Sequence, residues 1–294
     1  MVRNWVFLGD SLTEGVGSKR ISHVSEFVKQ MRAAAGTNVH EFRLRHVHSD
    51  FNPQIDFNVA GLMNVDSARN ASDRWLWNLA CEGQTIDSDL GWLPLIAALR
   101  PDLVVIFRGS LESIIRPAMV VDGDWPWWVP QSWRGYAAMD PRCYFSTTWW
   151  RKVKQSSVDA LKQRARLKLL KLRPGKPLFD LEKFASYQTE LLKRLRALGT
   201  RVIVLGLLPV DDMQFPGSRE QFQTVNARLK QIAEVEGVEF VDWALLLNGG
   251  DLFYRDGFHP NAAGADALAT ILREQILNIK GATVGAALRG RPSS

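Results

Sequence analysis

Leu103-Val104-Val105-Ile106-Phe107 is five apolar residues without a break, and Arg108-Gly109 closes the run. A stretch this short, β-branched at its centre and bounded by a turn, reads as a strand buried on both faces. Working outward, Leu90–Leu99 precedes it as a helix that Arg100-Pro101 stops. Trp75–Ala80 is an earlier strand, closed by Glu82-Gly83-Gln84-Thr85. Val24–Ala35 places Val24, Phe27, Val28 and Met31 at helical spacing, after a first strand, Val6-Phe7-Leu8, that ends in Gly9-Asp10-Ser11. On the other side come an amphipathic helix (Leu181–Leu198), a strand (Val202–Leu205), a helix (Ser218–Glu236), a strand (Val238–Val241) and a last helix (Asn261–Ile279). Residues 38–72 are mixed, with Phe42, Leu44 and Val47 alternating only weakly, and the small-residue tail 281–294 is expected to fray. Unbroken apolar strands separated by helices require a parallel sheet covered on both faces. Such sheets build their sites outside the carboxyl ends of the strands, so the residues just after each strand carry the functional information.

The composition agrees with one such domain. The chain has 294 residues, 46% of them hydrophobic and 23% charged. Surface scaling gives a chain of this size a core that buries about three quarters of its unfolded surface. Two cysteines, Cys81 and Cys143, exclude a disulfide scaffold and a four-cysteine zinc site, and they are expected to be unpaired. No apolar run approaches the ~18 residues of a membrane span, and the amino terminus lacks a secretory layout, so the expected location is cytoplasmic.

One segment departs from the alternation. Residues 116–177 form an insertion in two parts. The first is irregular and holds six of the eleven tryptophans (Trp125, Trp127, Trp128, Trp133, Trp149 and Trp150), with Tyr136, among four prolines. It reads either as a wall or lid over a site or as a satellite core for a long loop. The second, 151–177, has ten Lys/Arg against Asp159 alone, a helix of net charge +9 that leaves −3 for the rest of a chain of net +6. An anionic membrane, an acyl-carrier protein or an anionic glycan would suit it, and so would plain solvent. Nucleic acid is not expected, because no binding motif accompanies the charge.

Two strand-end segments carry chemistry. Ser11 follows the first strand at the start of a helix, where a dipole favours developing negative charge; an N-cap serine is the ordinary alternative. Asp256-Gly257-Phe258-His259-Pro260 puts a carboxylate three residues before a histidine, so that the carboxylate can hold one imidazole nitrogen while the other faces a nucleophile. Of the remaining histidines, His46 and His48 lack a completing ligand, and neither metal nor cofactor is expected.

Taken together, the two segments resemble the SGNH (GDSL-type) hydrolase family. Gly9-Asp10-Ser11-Leu12 is similar to its nucleophile block, Asn78-Leu79-Ala80-Cys81-Glu82-Gly83 to its second block, and Asp256–Pro260 to its acid–base block. The resemblance implies a flavodoxin-like three-layer α/β/α sandwich with a mainly parallel, five-stranded sheet. It implies Ser11 as nucleophile, His259 as general base and Asp256 as the orienting carboxylate. The backbone N–H groups of Ser11 and Gly83 would be oxyanion donors. It implies an esterase or deacylase on an acylated glycan or small metabolite, with acyl transfer to another acceptor, or ligand binding without catalysis, as alternatives. Asp10, Trp125, Trp127 and Trp128 are the candidate substrate contacts. One block departs: where the family carries Gly-x-Asn-Asp, this chain has Gly109-Ser110-Leu111-Glu112, and Leu111 cannot donate. Arg108 and Ser110 are the candidate replacements. Alternatively, two donors suffice for an activated or slow substrate, or the site binds without hydrolysis.

Overall fold

The computed structural model describes residues 3–15, 22–35, 38–43, 74–135, 137–246 and 250–277. Six strands form one parallel sheet: β1 (Arg3–Gly9), β2 (Val39–Arg43), β3 (Arg74–Asn78), β4 (Leu103–Phe107), β7 (Arg201–Leu205) and β8 (Glu239–Val241), in the order β2-β3-β1-β4-β7-β8. Without β2, the five strands expected from sequence take the order 2-1-3-4-5, which is the flavodoxin-like arrangement. The sixth strand is the difference. It lies at the sheet's edge beyond β3, where half-burial blurs the apolar pattern, and its register puts Phe42 beside Trp77. Leu44, Val47, His46, His48 and the tail 281–294 lie outside the described residues.

The helices follow the sequence closely. The principal ones are α1 (Ser11–Glu14), α2 (His23–Ala35), α3 (Leu93–Leu99), α4 (Trp149–Leu172), α5 (Leu181–Ala197), α6 (Ser218–Glu236) and α7 (Ala262–Leu277). Helix α2 packs on α7 and α5 on α6, and the two pairs flank the sheet. Every residue of β4 is buried, as an apolar run covered on both faces requires. Trp5 and Phe7 of β1 meet Phe27 of α2 at ring-centroid distances of 5.7 and 5.9 Å. Burying such side chains is worth roughly 1.5–3 kcal/mol each. No described helix is long and apolar enough to cross a membrane, and Cys81 and Cys143 are both free thiols.

The insertion is pinned at its base. Strands β5 (Arg116–Pro117) and β6 (Gly175–Lys176) pair antiparallel, so its two ends leave the domain side by side. Between them, Val120, Met139 and Leu169 form a separate small cluster, with Trp125, Trp128 and Trp133 packed around it. A loop this long stays folded because it carries its own core.

The core holds one histidine that no hydrogen bond satisfies. His23 is fully buried between Phe107 and Trp243, at 5.9 and 5.0 Å, with both ring nitrogens unpartnered among the described residues. Burial pulls its pKa down from 6.5 to about 3. The folded state therefore refuses a proton that the unfolded chain accepts, and stability is lost as pH falls from about 6.5 toward 3. Between pH 7 and 5 the native protein should lose about 2 kcal/mol that His23→Leu does not. Urea unfolding of both proteins at the two pH values measures this; an equal loss would mean the imidazole is not held neutral.

Candidate active site

Ser11 sits just past the carboxyl end of β1, the strand flanked by β3 and β4. The turn is built for close approach. A Cβ on Gly9 would lie 2.0 Å from Thr13 Oγ1, so any side chain there would push α1 off the strand. Asp10, not Ser11, is the N-cap: its Oδ1 accepts the Leu12 N–H at 2.9 Å. The serine hydroxyl is thus released from capping and hydrogen-bonds His259 Nε2 at 3.1 Å, across 248 positions of sequence.

The histidine is held from behind. His259 Nδ1 lies 2.7 Å from Asp256 Oδ2, while Asp256 Oδ1 accepts the backbone N–H groups of Phe258 and His259 at 3.1 and 3.0 Å. With the carboxylate buried and committed on both oxygens, the imidazole has one orientation. The loop is seated on the turn after β7: Asp211 N–H donates to Gly257 O at 3.1 Å. Gly257 has φ +63°, and a Cβ there would meet Asp211 Cβ at 2.3 Å, so only glycine fits. Asp211 reads in sequence as a simple turn residue, and nothing local signals this contact.

The Gly83 segment runs alongside. Cys81 N–H donates to Gly9 O at 3.2 Å, and Glu82 N–H to Glu14 Oε2 at 2.6 Å, which ties the segment to both ends of the Ser11 turn. Gly83 itself has φ +75°. The next residues are clamped from β4. Arg108 donates from Nε and Nη2 to the two oxygens of Asp89 at 2.7 and 2.6 Å, and from Nη1 to Gln84 O at 2.6 Å. Glu112 accepts the Ile86 N–H at 2.7 Å and the Gly109 N–H at 3.2 Å. Asp10, Asp89, Arg108 and Glu112 are all buried behind the site. Burial pushes Glu112 up to about 7; the Arg108 charge opposes this and the Asp10 charge adds to it.

Three further candidate residues lie buried beside Ser11. Arg108 has 0% side-chain exposure and spends its guanidinium on Asp89 and Gln84, which ties β4 to the residues after Gly83. Ser110 Oγ is buried and has no partner among the described residues. Asp10 is 2% exposed and occupied as a cap. Leu111 is half-buried, and its carbonyl accepts from Arg116 at 2.8 Å.

The insertion reaches Asp256 and His259 through a residue that carries no motif in the sequence. Cys143 Sγ lies with the ligating atoms of Asp256 and His259 inside a 4.8 Å cluster. Burial first, and the Asp256 charge second, push its thiol up to about 11, so it stays protonated at neutral pH. A thiophilic cation could use these three groups only by breaking the Asp256–His259 hydrogen bond. Arg255 fastens the insertion to this loop, donating to Arg142 O at 2.8 Å and to Asp159 at 2.6 Å, with its guanidinium 3.4 Å from the Phe145 ring centroid. A cavity of about 400 Å³ opens beside Arg255, lined by Asp140, Phe145, Asp159 and Lys162, but neither Ser11 nor His259 lines it. Trp125 and Trp128 pack into the satellite cluster and Trp127 is 91% exposed. Tyr136 lies outside the described residues.

The parallel α/β sandwich thus brings a strand-end serine, a histidine and a buried carboxylate into one hydrogen-bonded chain. Residues 158–267 match the GDSL-like lipase/acylhydrolase family, a span that includes Asp256 and His259 and excludes Ser11. The fold is shared with an acetylxylan esterase, Axe2 of Geobacillus stearothermophilus, solved as a catalytic mutant: TM-score 0.51, 15% identity, 94% of this chain and 93% of that one. It is shared equally with a lipase/acylhydrolase from Enterococcus faecalis: TM-score 0.52, 15% identity, 95% of this chain and 100% of that one. No curated protein matches the chain in sequence. The family match covers residues 158–267 alone, while the shared fold extends over nearly the whole chain.

The Arg108–Asp89 pair has a thermodynamic signature. Arg108→Met strands a buried carboxylate and should cost about 3–5 kcal/mol. Adding Asp89→Leu should restore much of that loss, because no unpaired charge remains. Urea unfolding of the single and double variants checks it; a double variant less stable than the single would refute the pairing.

Proposed function

We propose that the chain is a serine-dependent esterase or deacylase that works through an acyl-enzyme on an acylated glycan or small metabolite. The observation that carries the reading is the unbroken hydrogen-bond chain Ser11 Oγ–His259–Asp256. A neutral serine hydroxyl is a weak nucleophile unless a base takes its proton as it attacks. His259 Nε2 is within reach to do so, and Asp256 would stabilise the imidazolium that forms. The Ser11 oxygen bonds to the carbonyl carbon, the alcohol leaves with the proton from His259, and water then repeats the sequence to release the acid.

The tetrahedral oxyanion would be received by the backbone N–H groups of Ser11 and Gly83. Among the described residues the Ser11 N–H donates to no protein acceptor. With Leu111 in place of a side-chain donor, the hole rests on two donors, at a cost of about 10²–10³ in rate relative to three. A substrate with a good leaving group fits that limit. The mouth is polar, with Glu82 exposed and Ser11 and His259 partly so, which suits a sugar or small polar ester better than a long acyl chain.

Intact-protein mass spectrometry after fluorophosphonate treatment should show one adduct on the native chain and none on Ser11→Ala. Activity on acyl esters should fall about 10⁴-fold or more in Ser11→Ala and about 10⁴-fold in Asp256→Asn. An unlabelled native chain that still binds acylated sugars would favour a non-catalytic module. Ester formation outrunning hydrolysis with an added alcohol would favour a transferase.

A further inference from the structure

Helix α4 buries Leu169 in the satellite cluster but leaves other apolar side chains outside. Its charged Arg166 is buried, donating to Gln214 O and Ile115 O, while Trp149, Trp150, Val153, Leu161, Leu167 and Leu172 are exposed. At 100° per residue these six apolar side chains fall within an arc of about 140°. Lys154, Arg164, Lys168 and Lys171 occupy the same arc; none makes an ion pair among the described residues, and Lys168 lies over the Trp128 ring at 4.9 Å. The helix's sole acid, Asp159, points the other way, toward Arg142 and Arg255. The outward face is therefore apolar and purely cationic at once.

Exposed apolar residues on a solvated helix gain nothing, and six on one arc of a single helix exceed a random scatter. We propose that this face docks on an anionic lipid surface. Two features select that occupant. Trp149 is 60% and Trp150 73% exposed, packed edge-on at 4.0 Å, and paired tryptophans at a helix end suit the headgroup boundary, where an apolar ring and a polar N–H are both accommodated. The cations lie among the apolar side chains, where long Lys and Arg stems can run along the apolar layer and return their charge to the phosphates. A polyanion without an apolar layer would leave the tryptophans and leucines unused. A second copy of the chain would oppose like charges. The helix lies flat: 24 residues, or about 36 Å, available to one plane.

The test is sedimentation of the full chain with sucrose-loaded vesicles at physiological salt, using phosphatidylcholine alone or mixed with phosphatidylglycerol. The chain should bind the mixed vesicles at least 10-fold more tightly, with a blue shift of tryptophan emission. Each basic residue near the surface is worth about 5-fold, so Lys154→Glu/Arg164→Glu/Lys171→Glu should weaken binding about 100-fold or more. Trp149→Ala/Trp150→Ala should weaken it about 10-fold and remove the blue shift while keeping the preference for anionic lipid. Circular dichroism unchanged from the native chain identifies folded variants, and the two sets test the face independently. No binding to mixed vesicles would overturn the proposal. So would binding indifferent to the tryptophan pair, or soluble polyglutamate binding as tightly as vesicles, which would assign the face to an acidic macromolecule.

Discussion

The central constraint is that β1 is paired on both sides by parallel strands. Its residues are hydrogen-bonded into β3 and β4 together, with Gly9 opposite Phe107 on one side and Phe7 opposite Asn78 on the other. Parallel pairing puts the carboxyl ends of all three strands on one edge, so the segments following them are neighbours whatever their separation in sequence. The Ser11 turn, the Gly83 segment and the Arg108–Glu112 segment meet for that reason. The acid–base loop joins them because β7 and β8 extend the same edge, and Asp211 after β7 gives Gly257 its seat.

Behind the site this edge is held by charge. Three buried acids, Asp10, Asp89 and Glu112, surround one buried guanidinium. Such a cluster is costly to desolvate, and only full hydrogen bonding makes it tolerable. Arg108 and Glu112 answer for it by satisfying Asp89, the Gln84 carbonyl and the Ile86 and Gly109 N–H groups. The arrangement fixes the backbone on either side of Gly83.

The insertion connects the site to the surface. Its β5–β6 base and its satellite cluster make it a folded unit, and Arg255 joins it to the loop bearing Asp256 and His259. Asp159 on the inner face of α4 is the other end of that junction. The helix thus has an inward side joined to the Asp256–His259 loop and an outward side whose apolar residues stay exposed.

The sequence alone determined the layering, because buried parallel strands are written as unbroken apolar runs whose period needs no tertiary context. It also determined the Ser11 and Asp256–His259 segments, since a strand-end serine and a short Asp-x-x-His loop have local signatures. It underspecified β2, a half-buried edge strand with a weak pattern. Tertiary structure alone decided what each polar residue does. Arg108, Ser110 and Asp10 lie beside the site in sequence, yet all three are buried, and Arg108 and Asp10 already hold partners. Cys143 is far from the triad in sequence, and only the path of the insertion brings it within reach. Such roles depend on which atoms remain unpaired after packing, a property of the whole fold that no local motif encodes.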